Sequence, residues 1–109
     1  MLDKMVQELS HGKRCRVCNG IATETHHIIP RANYILRYDP KNFMYLCHSC
    51  HQKFTDEKLS EEDYCSREVW NYLQTMRWVD FKDFLLFEKG MTKDEFLRDC
   101  KKRLKELVK

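Results

Sequence analysis

The sequence predicts an α+β fold: a small two-stranded core lying between two cysteine pairs, with one helix before it and a helical extension after it. Three observations carry this reading. Cys15-x-x-Cys18 and Cys47-x-x-Cys50 are like pairs with 28 residues between them. Between them, residues 21–29 are rich in Thr and Ile, and residues 43–46 read Phe-Met-Tyr-Leu, both strand-prone. From residue 60 onward, apolar residues recur at helical spacing. A chain of 109 residues fits one domain. It divides into an N-terminal helix at 1–12, a core at 13–59 and a helical extension at 60–109.

Each element has a local cause. Leu2, Met5, Val6 and Leu9 fall on one helical face, and Ser10-His11-Gly12 ends it. Cys15 to Cys18 followed by Asn19-Gly20 is a tight turn of the metal-knuckle type. The strand or hairpin at 21–29 stops at Pro30. Residues 31–42 form an irregular loop with a turn at Asp39-Pro40, and a helix runs from His51 to about Lys58. Ser60 and Asp63 mark the next helix start, with Val69, Trp70, Leu73 and Met76 as its apolar stripe. Residues 80–89 repeat the pattern with Phe81, Phe84, Leu85 and Leu86, and Gly90 closes the segment. Thr92-x-x-Glu95 is a capping box, and Leu97, Cys100, Leu104 and Leu107 are the buried stripe of the last helix. The aromatic-rich run from Trp70 to Phe87 reads as core, with a dimer or protein-partner interface as the lesser alternative.

Composition narrows the function. Twenty Lys and Arg against 17 Asp and Glu give a formal charge of +3, a weak pointer to nucleic acid. Six basic and two acidic residues crowd positions 98–109, which reads first as a solvated helix face. Mean hydropathy is −0.70, and no apolar run approaches a membrane span. No secretory signal is visible, so the expected compartment is the reducing cytosol, where six cysteines need an explanation other than disulfides.

Zinc supplies that explanation for four of them. Tetrahedral zinc takes four soft donors, and each Cys-x-x-Cys turn presents two sulfurs. Cys15, Cys18, Cys47 and Cys50 are therefore the expected structural zinc ligands; free core cysteines are the competing reading. Cys100 sits on an apolar stripe and reads as core, and Cys65 as a partly buried helix residue. Between the pairs stand His26-His27-Ile28-Ile29-Pro30, and His51 follows the second pair directly. Adjacent strand histidines point to opposite faces, so one can turn to a metal while the other meets a water. A zinc clamp would fix His51 relative to that strand and leave the histidines to build a second, open site. His48 reads as a surface residue.

Cys-x-x-Cys, His-His-Ile-Ile-Pro, an Asn five residues before a Cys, and Cys-x-x-Cys-His, in that order, resemble the HNH endonucleases of the His-Me finger (ββα-metal) superfamily. The resemblance covers residue 15 to about 56. Residues 35–42 also resemble phage NinG-type recombination proteins. The resemblance implies a small ββα-metal core stapled by a four-cysteine zinc site. It implies His26 and His51 as ligands of a catalytic divalent cation, His27 as general base, and Asn42 as the residue that braces the loop holding the base. His26 stands where the family more often has Asp, which leaves the ion open: Mg2+ or Mn2+ first, Zn2+ or Ni2+ as alternatives. The implied activity is hydrolysis of DNA phosphodiester bonds to 5′-phosphate and 3′-hydroxyl ends, in the cytoplasm of a bacterial or phage-infected cell. Arg31 and Arg37 are the expected phosphate contacts. The main alternative is a non-catalytic zinc module that binds nucleic acid or a protein partner. A third is a structural zinc protein whose C-terminal helices bind a partner.

Overall fold

The fold is built around one antiparallel strand pair, which the computed structural model describes together with the rest of residues 1–107. Strand β1 is Glu24–His27 and β2 is Phe43–Leu46. Glu24 pairs with Leu46, Thr25 with Tyr45, His26 with Met44 and His27 with Phe43. Side-chain alternation puts Glu24, His26, Met44 and Leu46 on one face and Thr25, His27, Phe43 and Tyr45 on the other. The expected strand at 21–29 is therefore shorter: residues 21–23 belong to the knuckle, where Ala22 N–H donates to the Lys13 carbonyl at 3.0 Å.

Helix α1, Leu2–Glu8, guards the free edge of β1. The Gln7 amide donates to the Thr25 carbonyl at 3.0 Å and accepts from its N–H at 3.1 Å, as a neighbouring strand would. The Thr25 hydroxyl donates to the Val6 carbonyl at 2.8 Å. Helix α2, His48–Thr55, covers the opposite face. It begins three residues before the expected His51, because the Cys47 sulfur accepts from Cys50 N–H and caps it.

The loop from 28 to 42 returns to the sheet through a 3₁₀ turn, Pro40–Asn42, capped by the Asp39 carboxylate. After α2, Glu61–Tyr64 forms only another 3₁₀ turn. Helix α3, Arg67–Met76, starts instead at Ser66, whose hydroxyl accepts from Val69 N–H at 3.1 Å. Cys65 consequently lies in extended backbone, not in a helix. Helix α4, Phe81–Asp83, widens into a π-helical turn, Phe84–Lys89, closed by Gly90 at φ +61°. The wider turn breaks the 3.6-residue register. Phe84 is buried, but Leu86 and Phe87 are 67% and 75% exposed, and Trp78 in the preceding loop is 82% exposed. The aromatic run is thus core only in part. Helix α5, Lys93–Leu107, carries the expected Thr92–Glu95 capping box, with reciprocal bonds of 3.1 and 3.2 Å. Its buried stripe is Phe96, Cys100 and Leu104; Leu97 is half-buried and Leu107 is exposed. In the basic tail, Arg98, Lys102 and Arg103 are exposed as a solvated face requires, and residues 108 and 109 lie outside the described part.

One hydrophobic cluster draws on all three segments: Val6 from α1, Leu36 and Leu46 from the core, Leu73, Phe96 and Leu104 from the extension. No helix among the described residues is long and apolar enough to cross a membrane.

Candidate functional site

Four sulfurs converge where the knuckle turn meets the start of α2. The Sγ atoms of Cys15, Cys18, Cys47 and Cys50 all lie within 4.8 Å of one another, and Cys18 and Cys47 are 3.8 Å apart. Four ligands at about 2.3 Å from a tetrahedral zinc stand about 3.8 Å apart, so the cluster has the size zinc requires. Local sequence makes each half. Asn19 takes the left-handed conformation, φ +62°, which asparagine tolerates, and Cys15 N–H closes the turn on the Gly20 carbonyl at 2.7 Å. Arg16 N–H donates to the Tyr45 carbonyl at 2.9 Å, which ties the knuckle to β2. Burial pushes the Cys15 thiol up, but backbone N–H groups of Cys18, Cys47 and Val17 outweigh it and hold the group down at about 6. Burial, and hydrogen bonds given to the neighbouring sulfurs, push the Cys50 thiol up to about 12. Thiols this close cannot all ionise alone; a divalent cation at their centre reverses the balance.

A second cluster lies on the α2 face of the sheet. His26 Nδ1 and His51 Nε2 are 3.1 Å apart. Two nitrogens bound to one cation at about 2.1 Å stand roughly 3.0–3.4 Å apart, so the gap suits a shared ion. His51 Nδ1 donates to the Glu24 carboxylate, and His48 Nδ1 meets its other oxygen at 2.8 Å. Partial burial raises the Glu24 carboxyl, and these two hydrogen bonds outweigh it and hold the group below its usual range. A carboxylate behind a ligand histidine fixes the tautomer and aims the lone pair, here His51 Nε2 toward His26. His26 stacks on Phe54 of α2, ring centroids 5.5 Å apart. Its Nε2 is buried with no hydrogen-bond partner, and Glu61 Oε1 stands 3.8 Å away. A cation on Nδ1 would move the ring proton to Nε2 and give that orphaned atom an acceptor to face. The residues present therefore fit a divalent cation.

His27 emerges on the other face of β1, edge-on to Phe43 with ring centroids 5.4 Å apart. Its Nε2 donates to the Arg37 carbonyl at 2.9 Å, which leaves Nδ1 with the free lone pair. Burial lowers its pKa most; the Arg37 carbonyl opposes this, and the Arg31 charge adds to the lowering. The ring is neutral near pH 7. The Asn42 side chain hydrogen-bonds to the loop backbone and not to this ring. That side chain is fully buried; Oδ1 accepts from Ile29 N–H at 2.7 Å, and Nδ2 donates to the carbonyls of Ile29 and Leu36 at 2.9 and 3.2 Å. Leu36 precedes the residue whose carbonyl holds His27, so Asn42 is connected to His27 through the loop backbone. Arg31 is exposed. Arg37 is bound to Asp3 by two hydrogen bonds, 2.8 and 3.1 Å, and lies over Tyr34 and Tyr38. Its guanidinium is committed to the fold.

The structure therefore joins His26 to His51 and sets His27 on the reverse of the same strand. Sequence reasoning missed Glu24, although it stands two residues before His26 and so shares its face. It also missed Asp3 and Glu61, which no spacing rule connects to the site.

A family model described as HNH endonuclease matches residues 13–57. No curated protein and no solved structure matches the chain. The matched segment holds both cysteine pairs, β1, β2 and α2 up to its end, so the sulfur cluster and the His26–His51 pair fall wholly inside it. Residues 13–57 are therefore similar to an HNH endonuclease domain.

Proposed function

We propose that the protein is a metal-dependent DNA endonuclease that hydrolyses phosphodiester bonds to 5′-phosphate and 3′-hydroxyl ends. The observation that carries this reading is the 3.1 Å approach of His26 Nδ1 to His51 Nε2 inside a segment of HNH type. His26 and His51 would hold the catalytic ion, and Cys15, Cys18, Cys47 and Cys50 a structural zinc. When bound between the histidines, a divalent cation supplies charge neutralisation at the scissile phosphate and the leaving oxygen.

The chain's own residues do the rest. His27 Nδ1 takes a proton from the attacking water, since the Arg37 carbonyl fixes the proton on Nε2. Asn42 keeps that carbonyl in place. Arg31, exposed and close enough to depress His27, meets a substrate phosphate; Arg37 serves by supplying its carbonyl. Glu24 keeps His51 in the ligand tautomer.

Nicking of supercoiled plasmid with Mg2+, Mn2+, Zn2+ or Ni2+ tests the reading. Wild type converts plasmid to open circles and loses this with EDTA; His27→Ala binds DNA as wild type does and cuts at least a hundredfold more slowly. No cutting of duplex, branched or single-stranded DNA with any of these ions would leave the domain as a non-catalytic zinc module.

A further inference from the structure

A second concave site is lined in part by Phe43, whose ring packs edge-on against His27. It is a cleft of about 450 Å³ where the knuckle, β2, the Pro40–Asn42 turn and the start of α3 meet. Lys13, Arg14, Arg16 and Lys41 line it, and no Asp or Glu does. All four cations are exposed, and among the described residues none lies within 4.0 Å of a carboxylate. Arg37 and Arg103, by contrast, have Asp3 and Asp99 as partners. Four like charges drawn into one concavity repel one another, an arrangement that a polyanion relieves. The cations are also held. Arg16 Nε donates to the Tyr64 carbonyl at 2.8 Å, and Lys41 Nζ sits 4.7 Å from the Tyr72 ring centre.

The cleft walls are aromatic as well. Phe43 and Tyr45 of β2 line it, and Lys13 Nζ lies 5.9 Å from the Tyr45 ring centre. Aromatic walls beneath a basic rim take a base on the ring and phosphates on the cations, the combination that single strands use. A duplex, about 20 Å across with its bases already stacked, cannot enter a cavity of this volume. The Phe43 and His27 ring centroids are 5.4 Å apart, so the cleft and the base share one wall.

We propose that this cleft is a subsite for an unpaired nucleotide of the DNA strand, next to the position where that strand is cut. The proposal rests on the DNA reading above for the identity of the polyanion. It makes the enzyme selective for substrates with a single-stranded segment, through shape and not base sequence.

The test is binding, measured separately from cutting. Zinc-loaded protein is titrated into fluorescein-labelled (dT)12 and into a blunt 12-base-pair duplex, with no other divalent ion, and anisotropy is followed from 50 to 200 mM NaCl. The single strand is expected to bind at least tenfold more tightly than the duplex. Arg14→Gln with Lys41→Gln should flatten the salt dependence by about 0.7 per lost contact in log–log slope. Tyr45→Leu should weaken (dT)12 by roughly fivefold to a hundredfold and leave duplex binding unchanged. Zinc content and circular dichroism of each variant confirm folding, and Tyr45→Phe, which keeps the ring, should restore binding. Equal affinity for strand and duplex, or a Tyr45→Leu protein that binds (dT)12 as wild type does, overturns the subsite. Cleft-dependent strand binding without cutting under any metal overturns the nuclease reading alone.

Discussion

Asn42 offers the sharpest test of how this loop is held, because one side chain satisfies three buried backbone groups. In Asn42→Ala, Ile29 N–H loses its acceptor and the Ile29 carbonyl its donor, while the Leu36 carbonyl loses one of two donors and keeps Asp39 N–H at 3.2 Å. Ile29 and Leu36 are buried, so water does not replace the amide without opening the loop. Each of the two groups left unpaired costs about 1–3 kcal/mol, and relaxation recovers part of this, so about 2–4 kcal/mol is expected. Total stability for a chain of this length is of order 5–15 kcal/mol, so the variant still folds but has lost a large share. Urea unfolding of zinc-loaded protein, followed by Trp70 and Trp78 fluorescence, measures it; the melting temperature should fall by about 15 °C. Cutting should fall too, since the Arg37 carbonyl that fixes the His27 tautomer follows Leu36 directly. A loss below about 1 kcal/mol would show that the loop is held by something other than this amide, and the positioning argument would fail.

Three further outcomes follow from the same geometry. Cys47→Ser removes both a proposed zinc ligand and the sulfur that caps α2, and should leave the protein without zinc and largely unfolded by circular dichroism; a folded, zinc-free variant would refute the staple. Glu24→Gln should weaken binding of the cation proposed at His26 and His51 about 10-fold to 100-fold, read by titration calorimetry of zinc-loaded protein with Mn2+, while zinc content stays unchanged. The hydrogen bond from Arg37 chiefly holds the Asp3 carboxyl below its usual value, so that pair stabilises the fold above about pH 4 and the contribution disappears as pH falls through the lowered folded value. Asp3 is partly exposed, so Asp3→Asn should cost at most about 1 kcal/mol at pH 7 and progressively less as pH falls through the lowered folded value, as parallel urea titrations would show.

What can be read from the sequence follows from how local each signal is. The knuckle needs only Cys15, Cys18 and the turn residues Asn19-Gly20 after them, so it is directly legible. So are β2, the Thr92–Glu95 box and the Gly90 stop. The start of α2 is not, because a cysteine cap is unusual: Cys47 reads as a ligand, and its second role as acceptor for Cys50 N–H has no sequence mark. The π turn at Phe84–Lys89 is hidden because periodicity assumes 3.6 residues throughout, and the consequence is the wrong placement of Leu86 and Phe87. At the site, the histidines are marked by their neighbours in sequence. Asp3, 34 residues from Arg37, and Glu61, beyond α2, act only because the chain folds back. Arg37 shows the same limit from the other side: its sequence position suggests a phosphate contact, while tertiary structure gives its guanidinium to Asp3.

The helical extension has a structural task that the length of the family match conceals. The loop from 28 to 42 carries the Arg37 carbonyl behind His27, and it touches the extension at several points. Asn33 Nδ2 donates to the Arg77 carbonyl at 3.2 Å, and the Tyr72 hydroxyl donates to the Asp39 carboxylate. Burial, with that hydrogen bond, pushes the Tyr72 phenol well above its usual range, so it remains a donor across the physiological span. Asp39 caps the turn that ends in Asn42, so α3 reaches His27 through Tyr72, Asp39, Asn42 and the loop carbonyls in succession. On the opposite face, Tyr64 holds Arg16 by its carbonyl, and Glu61 stands behind His26. In the proposed reading the segment 13–57 contributes the chemistry-bearing groups, while residues 60–107 brace the loop behind His27. Tyr72→Phe isolates this effect, since it keeps the ring over which Lys41 sits and deletes only the hydroxyl. It should cost about 1–2 kcal/mol in urea unfolding and reduce cutting without changing zinc content; an unchanged cutting rate would show that the extension stabilises the loop without setting the position of the base.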